Sequence, residues 1–242
     1  MNNQHIMRTF DEELRFLTNQ IGSMGGHAER MVEQAVAALV GADLGLARKV
    51  VEDDVFLDEK EREIGEKAVI IIARRQPMAA DLREIVGAIR ISGDLERIGD
   101  LGKNIAKRAV AITEARQPTR LFRGLSALSD LALTQLKEVL DAYASRSAEK
   151  IGFVRDRDEE IDAMYTSLFR ELLAYMMEDP RNITACTHLI FCAKNIERIG
   201  DHATNIAETV HHIITGTQLP SERPKEDSSH RVVAPSGDDP ES

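Results

Sequence analysis

The stretch Leu95-Glu96-Arg97-Ile98-Gly99-Asp100 returns near the other end of the chain as Ile196-Glu197-Arg198-Ile199-Gly200-Asp201. Asn-Ile-Ala follows each copy, at residues 104–106 and 205–207. The chain is an internal duplication, so one structural unit, made twice, has to account for nearly all of it. Within each copy Glu-x-x-x-Asp-x-x-x-Asn sets acid, acid and amide at successive i+4 positions, a row along one helix face.

The repeat reaches beyond that core. Asp54-x-x-x-Asp58 aligns with Asp158-x-x-x-Asp162, and the turn Arg74-Arg75-Gln76-Pro77 with Met177-Glu178-Asp179-Pro180. The Asp58-to-Glu96 spacing exceeds that from Asp162 to Glu197 by three residues, about one helical turn, which the turn region absorbs.

Apolar periodicity makes the unit helical. Ile91, Leu95, Ile98, Gly102, Ile105, Ala109 and Ile112 keep a 4-3 spacing, and Cys192, Ile196, Ile199, Ala203, Ile206, Val210 and Ile213 repeat it. These positions form the expected core seam. The composition agrees: 43% hydrophobic residues, only 4% aromatic and no Trp, as in bundles packed with aliphatic side chains. The fold class is all-α, two tandem antiparallel three-helix bundles. Predicted helices span residues 10–42, 44–75 and 80–113, then 119–147, 149–177 and 182–214. Pro77 and Asp179-Pro180 make the sharp turns and Pro118 marks a linker. The expected domains are 1–116 and 119–216. Residues 217–242 hold four of the seven prolines and no apolar period, and read as a disordered tail.

Function classes narrow on charge and cysteine content. A net charge of −10 argues against a nucleic-acid partner, which would require a basic face. No apolar run approaches the ~20 residues of a membrane span, and residues 1–8 lack the basic and apolar segments of a signal peptide. Cys186 and Cys192 are turned roughly 120° apart on one helix and cannot pair. The expectation is a soluble protein in a reducing cytoplasm, with no direct membrane insertion.

The acidic rows carry the chemistry. If the helices flanking Pro77 form an antiparallel hairpin, Asp58 comes level with Glu96 and Asp54 with Asp100. Folding about Asp179-Pro180 likewise brings Asp162 level with Glu197 and Asp158 with Asp201. Each half thus gathers four carboxylates, which repel unless a cation neutralises them. Oxygen-only ligands suit hard cations, Fe(III), Mn(II), Mg(II) or Ca(II), ahead of structural zinc. On a helical wheel Glu96 and Asp100 lie roughly 160° from the seam, so the row is expected to face outward, where the alternative is ordinary solvated surface with Arg97 and Arg198 as counter-charge. Asn104 and Asn205 are weaker candidates. His202, whose counterpart is Leu101, reads as a polar surface histidine. Gly99 and Gly200 each cost about 1 kcal/mol in a helix interior and imply close approach of another backbone or a ligand.

The stretches Arg75-Gln76-Pro77-Met78-Ala79-Ala80-Asp81-Leu82-Arg83, Asp94 to Asp100 and Glu197 to Glu208 closely resemble the PhoU family of phosphate-uptake regulators, over about residues 5–216. The resemblance implies two three-helix bundles, multinuclear iron or zinc clusters at the Glu/Asp-x-x-x-Asp motifs, and often dimers. Carried onto this chain, the metal motifs are Glu96, Asp100, Glu197 and Asp201, with Asp54, Asp58, Asp158 and Asp162 on the neighbouring helices. It also implies an adaptor at the inner face of the plasma membrane. Such an adaptor couples a phosphate ABC transporter, through its ATP-binding subunit, to a phosphate-sensing histidine kinase, and holds uptake and the starvation response low when phosphate is plentiful. The tail matches nothing in the family pattern. Asp81-Leu82-Arg83 lacks a second-half copy and reads either as an asymmetric partner surface or as a helix N-terminal turn with an ion pair.

Two other classes compete. A di-iron carboxylate oxidase needs two inward Glu-x-x-His pairs, and only Glu208-x-x-His211 is present. A carboxylate-bridged helical bundle serving only as a structural oligomerisation module is the remaining alternative.

Overall fold

The structure is a computed structural model that describes residues 2–112 and 119–219. The linker at Pro118 and the tail beyond residue 219 lie outside the described residues. Among the described residues seven α-helices follow in order: α1 (Asn2–Gly41), α2 (Leu44–Asp53), α3 (Val55–Arg75), α4 (Ala79–Ile112), α5 (Thr119–Ser145), α6 (Phe153–Glu178) and α7 (Ile183–Thr215). Short 3-10 turns at Glu149–Ile151 and Pro180–Asn182 precede α6 and α7. None of the described helices is long and apolar enough to cross a membrane.

Local chemistry sets the helix ends. Asp43 caps α2, its Oδ1 accepting from the Leu46 N–H at 2.9 Å. Asp179 accepts from the Arg181 N–H at 2.9 Å, with Pro180 in the first position, where its missing N–H costs nothing. At the end of α3, Gln76 turns left-handed (φ 49°) and its N–H reaches the Ile72 carbonyl, so the chain can double back into α4.

The expected helix over 44–75 is interrupted. Its register breaks at Asp54 and yields α2 and α3, although Asp54 keeps right-handed helical torsions. The break coincides with a carboxylate drawn inward: Asp54 is only 6% exposed and accepts from Lys103 Nζ on α4. The expected helix over 149–177 likewise opens with a 3-10 turn.

Every residue of the two expected seams is buried. The α4 and α7 helices, however, bury more than one stripe. Helix α4 packs on α1, α2 and α3 within its own repeat, and α7 on α5 and α6; α4 and α7 then pack extensively on each other. Helix α1 also meets α5. Like helices therefore join the two repeats, and the α4–α7 crossing is antiparallel: Gly87 lies under Ile213 and Arg108 bonds His188 at the other end. Gly87 on α4 is buried, and a Cβ there would overlap the Ile213 side chain of α7, so the bare helix surface lets the two long helices approach closely.

That sandwiching corrects the outward-facing acidic row. A lone three-helix bundle would leave the far side of α4 and α7 to solvent; here the α4–α7 packing covers part of it, so that Glu96, Asp100, Asp201 and Asn205 are half-buried and Glu197 is buried, while Asn104 stays exposed. The Glu96 side chain is 20% exposed and that of Glu197 only 6%. His202 is not a free surface group either. Its Nδ1 lies 2.9 Å from Asp94 Oδ1 across the α4–α7 junction. Arg83 turns its guanidinium onto Gly216 at the C-terminal end of α7, where the helix dipole favours a cation.

Candidate metal centres

In the first repeat Asp54, at the break before α3, and Asp100 on α4 come together at the expected height. Asp54 and Asp100 share one partner, the Lys103 ammonium, which donates to Asp54 Oδ2 and Asp100 Oδ1. Glu96 lies one turn away. Burial, then the charges of Asp100 and Asp58, hold its carboxyl above the usual range, against the pull of Arg97. Arg97 stands at the rim, 62% exposed and 3.5 Å from both Glu96 and Asp100. Asp58 and Asn104 are exposed.

The second repeat is built on the same plan but sits deeper. Glu197 is 5% exposed, its Oε1 accepts from Lys194 Nζ at 2.7 Å, and its Oε2 has no hydrogen-bond partner. Burial pushes its carboxyl up to about 6, opposed by Lys194 and assisted by the charges of Asp201 and Asp162. Asp158 accepts from the Thr204 hydroxyl at 3.0 Å. Thr204 in turn accepts from Gln135 Nε2 at 3.0 Å, and the same amide donates to the Val154 carbonyl at 3.2 Å. Asp162, Asp201 and Asn205 are half-buried. Asn205 lines an open cleft of about 470 Å³, with Glu61, Asp94, Glu96 and Glu208, where α3, α4 and α7 meet.

Both glycines flagged by helix propensity are explained by side chains rather than by backbone or ligand. A Cβ at Gly99 would overlap Leu57 Cδ1, and one at Gly200 would come within 3.0 Å of Ile161 Cδ1. Leu57 and Ile161 each directly precede an aspartate of the site, Asp58 and Asp162. The bare helix surface at each glycine therefore sets how closely the two acid-bearing helices approach.

These sites fit a cation by charge and donor type. Oxygen ligands predominate, carboxyls in both repeats sit above their usual range, and a deeply buried carboxylate oxygen at Glu197 lacks a partner. As the side chains stand, lysine ammoniums meet part of that demand. Among the described residues no three His, Cys, Asp or Glu side chains converge on a common point.

Several partners escaped the sequence reading. Lys103 and Lys194 lie three residues from Asp100 and Glu197, a spacing that brings side chains together on a helix. Gln135 is a lone amide among the buried aliphatic residues of α5, a polar group at a core position that demands an explanation. The Asp94–His202 contact carries no comparable sequence signal, because it exists only once the two repeats dock.

The comparisons with known proteins follow the duplicated architecture. The PhoU domain family matches residues 21–109 and again 125–210. A phosphate-specific transport system accessory protein PhoU homolog of Rhizobium meliloti (strain 1021) is 66% identical over 227 residues, 94% of this chain and 96% of that protein. A protein of the same description from Caulobacter vibrioides (strain NA1000 / CB15N) is 50% identical over 93% of this chain and 97% of its own length. Among solved structures, PhoU from Pseudomonas aeruginosa superposes with a TM-score of 0.83 at 40% identity, over 86% of this chain and 100% of that one. The phosphate transport system regulatory protein PhoU from Streptococcus pneumoniae gives 0.80 at 26% identity, over 87% and 99%. With two domain matches that span most of its length and relatives that align along nearly all of it, the chain belongs to the PhoU family.

Proposed function

We propose that the chain is a negative regulator of phosphate uptake and of the phosphate-starvation response. In this reading it is a non-enzymatic, cytoplasmic adaptor at the inner face of the plasma membrane. It couples the ATP-binding subunit of a phosphate ABC transporter to a phosphate-sensing histidine kinase and works as a homodimer or higher oligomer. The observation that carries the reading is the 66% identity, along 94% of the chain, to a phosphate-specific transport system accessory protein.

The acidic sites supply the switchable part of this adaptor. Glu96 and Asp100 with Asp54 and Asp58 would hold metal in the first repeat, and Glu197 and Asp201 with Asp158 and Asp162 in the second. Iron or zinc is favoured by family, while the oxygen donors also suit Mn(II), Mg(II) or Ca(II). Bound metal would supply the positive charge that lets α3 and α4, or α6 and α7, hold their carboxylates together. The protein's own residues fix the approach of those helices, through Leu57 on Gly99 and Ile161 on Gly200.

Deletion of the gene in its own host, with uptake of labelled phosphate and a starvation-responsive reporter followed in phosphate-replete medium, tests the proposal. Faster uptake and an induced reporter, both restored by the wild-type gene, are expected. Unchanged uptake and a silent reporter would leave only a structural module.

A further inference from the structure

The two ends of the α4–α7 crossing carry residues related by the duplication, yet they are filled differently. Gly87 corresponds to His188, Arg90 to Phe191 and Arg108 to Thr209. At one end Arg108 lies over the Phe191 ring, 4.1 Å from its centroid, and meets His188 Nδ1 at 3.3 Å, so the protein's own side chains span the crossing. At the other end Gly87 and Thr209 are too small to do so. A groove of about 360 Å³ lies open there, between the start of α4 and the end of α7. It joins apolar Leu82, Val86 and Ile213 to Arg83, Arg90 and His212, and among the described residues no Asp or Glu lines it. Arg83 Nε and His212 Nδ1 are buried there with no hydrogen-bond partner among the described residues.

The chain leaves α7 beside this groove. Gly216, on which the Arg83 guanidinium rests, ends the helix, and Leu219 is half-buried against the core. Residues 220–242 follow. They carry six Asp or Glu against three Lys or Arg, and one apolar run, Val232-Val233-Ala234, set between Glu226-Asp227 and Asp238-Asp239. A segment of this composition cannot build a core of its own, so its apolar run is buried only against another surface.

We propose that residues 226–239 dock in this groove of their own chain, with Val232 and Val233 against Leu82 and Val86 and the flanking acids toward Arg83 and Arg90. The 13 residues from Leu219 to Val232 reach up to about 45 Å, ample for a groove that begins beside Gly216. A tether this short holds the segment at an effective concentration on the order of millimolar, so a weak contact suffices and the same chain outcompetes a second copy. Complementary charge fixes which surface is chosen. Docked there, the segment covers Leu82 and Arg83, the unduplicated surface of the first repeat, and controls access to it.

The test is photocrosslinking of the full chain with benzoylphenylalanine in place of Val233, on a mixture of isotopically light and heavy copies, with the linked peptides identified by mass spectrometry. Links to residues 79–90 and 209–213 within one copy are expected, and R90E, at an exposed position, should lower their yield severalfold. Hydrogen exchange provides a second readout: V232D/V233D, which alters no residue of the helices, should exchange residues 79–90 several times faster than wild type. Links scattered over the surface, links only between light and heavy copies, an undiminished yield in R90E, or identical exchange in wild type and V232D/V233D would each overturn the proposal. Links only between copies would assign the groove to the segment of a second copy instead.

Discussion

Leu57 lies across the surface of α4 at Gly99, its Cδ1 methyl in the space a Cβ would need, and Ile161 lies across Gly200 in the second repeat with its Cδ1 3.0 Å from the corresponding point. The pairs are equivalent in the duplication, and each stands one residue from an aspartate of the acidic site. Alanine normally gains up to about 1 kcal/mol over glycine within a helix. At Gly99 that gain is opposed by overlap with a fully buried leucine, and overpacking of this kind costs about 1–3 kcal/mol.

Gly99→Ala should therefore destabilise the protein by about 1–2 kcal/mol, whereas Gly200→Ala, with a looser contact, should come out near neutral. Urea denaturation of the two variants checks the order. Gly99→Ala combined with Leu57→Ala should lose less than the two changes separately, since each relieves the other.

This relationship also shows how far the sequence could be read. A glycine repeated in an otherwise regular helix signalled a close approach, but not the leucine and isoleucine responsible, because their azimuth on α3 and α6 depends on packing. Heights were legible, since residues equidistant from Pro77 or Asp179-Pro180 are forced level in a hairpin. The Lys103 bridge from Asp100 to Asp54 and the shared effect of Asp58 on Glu96 agree with them. The outward face was misread because a helical wheel sees one bundle, and α4 and α7 each serve two. The break at Asp54 was hidden for a related reason: the ammonium that draws its carboxylate inward belongs to another helix.

Glu197 gives the metal-free protein a measurable pH dependence. Its folded carboxyl titrates at about 6 against an ordinary 4.5, so the folded chain holds a proton that the unfolded chain releases between those values. The resulting stabilisation is complete below 4.5 and disappears as pH rises through about 6. Relative to Glu197→Gln, wild type should gain stability on acidification across this window, by up to about 2 kcal/mol. Melting curves of both proteins at several pH values check it. A difference that stays constant with pH would contradict it.

Glu84 and Arg146 form an ion pair between α4 and the end of α5, with the Glu84 side chain 9% exposed and that of Arg146 63%. Arg146→Met leaves a buried carboxylate without its partner and should cost about 2 kcal/mol or more. Glu84→Gln, which removes the buried charge itself, should cost less. Chemical denaturation of the single and double variants separates the two effects.

The thiols should be silent in the native state. Both cysteines are buried, and burial pushes the Cys192 thiol up to about 12 and Cys186 above its ordinary value. Thiolate, the reactive form, is therefore scarce at neutral pH. A thiol reagent should label neither residue in native protein and both once urea unfolds the chain; rapid native labelling of Cys192 would contradict the packing of α7.

The central claim is that the duplicated acidic rows are metal sites. The most direct test is elemental analysis of protein purified without chelator or an affinity-tag metal, comparing wild type with the variant that carries alanine at Glu96, Asp100, Glu197 and Asp201. The expected result is bound iron, zinc or manganese in wild type, lost in the variant while helicity measured by circular dichroism is retained. Equal metal content in the two proteins, or none in either, would contradict the claim and reduce the rows to buried ion-pair networks.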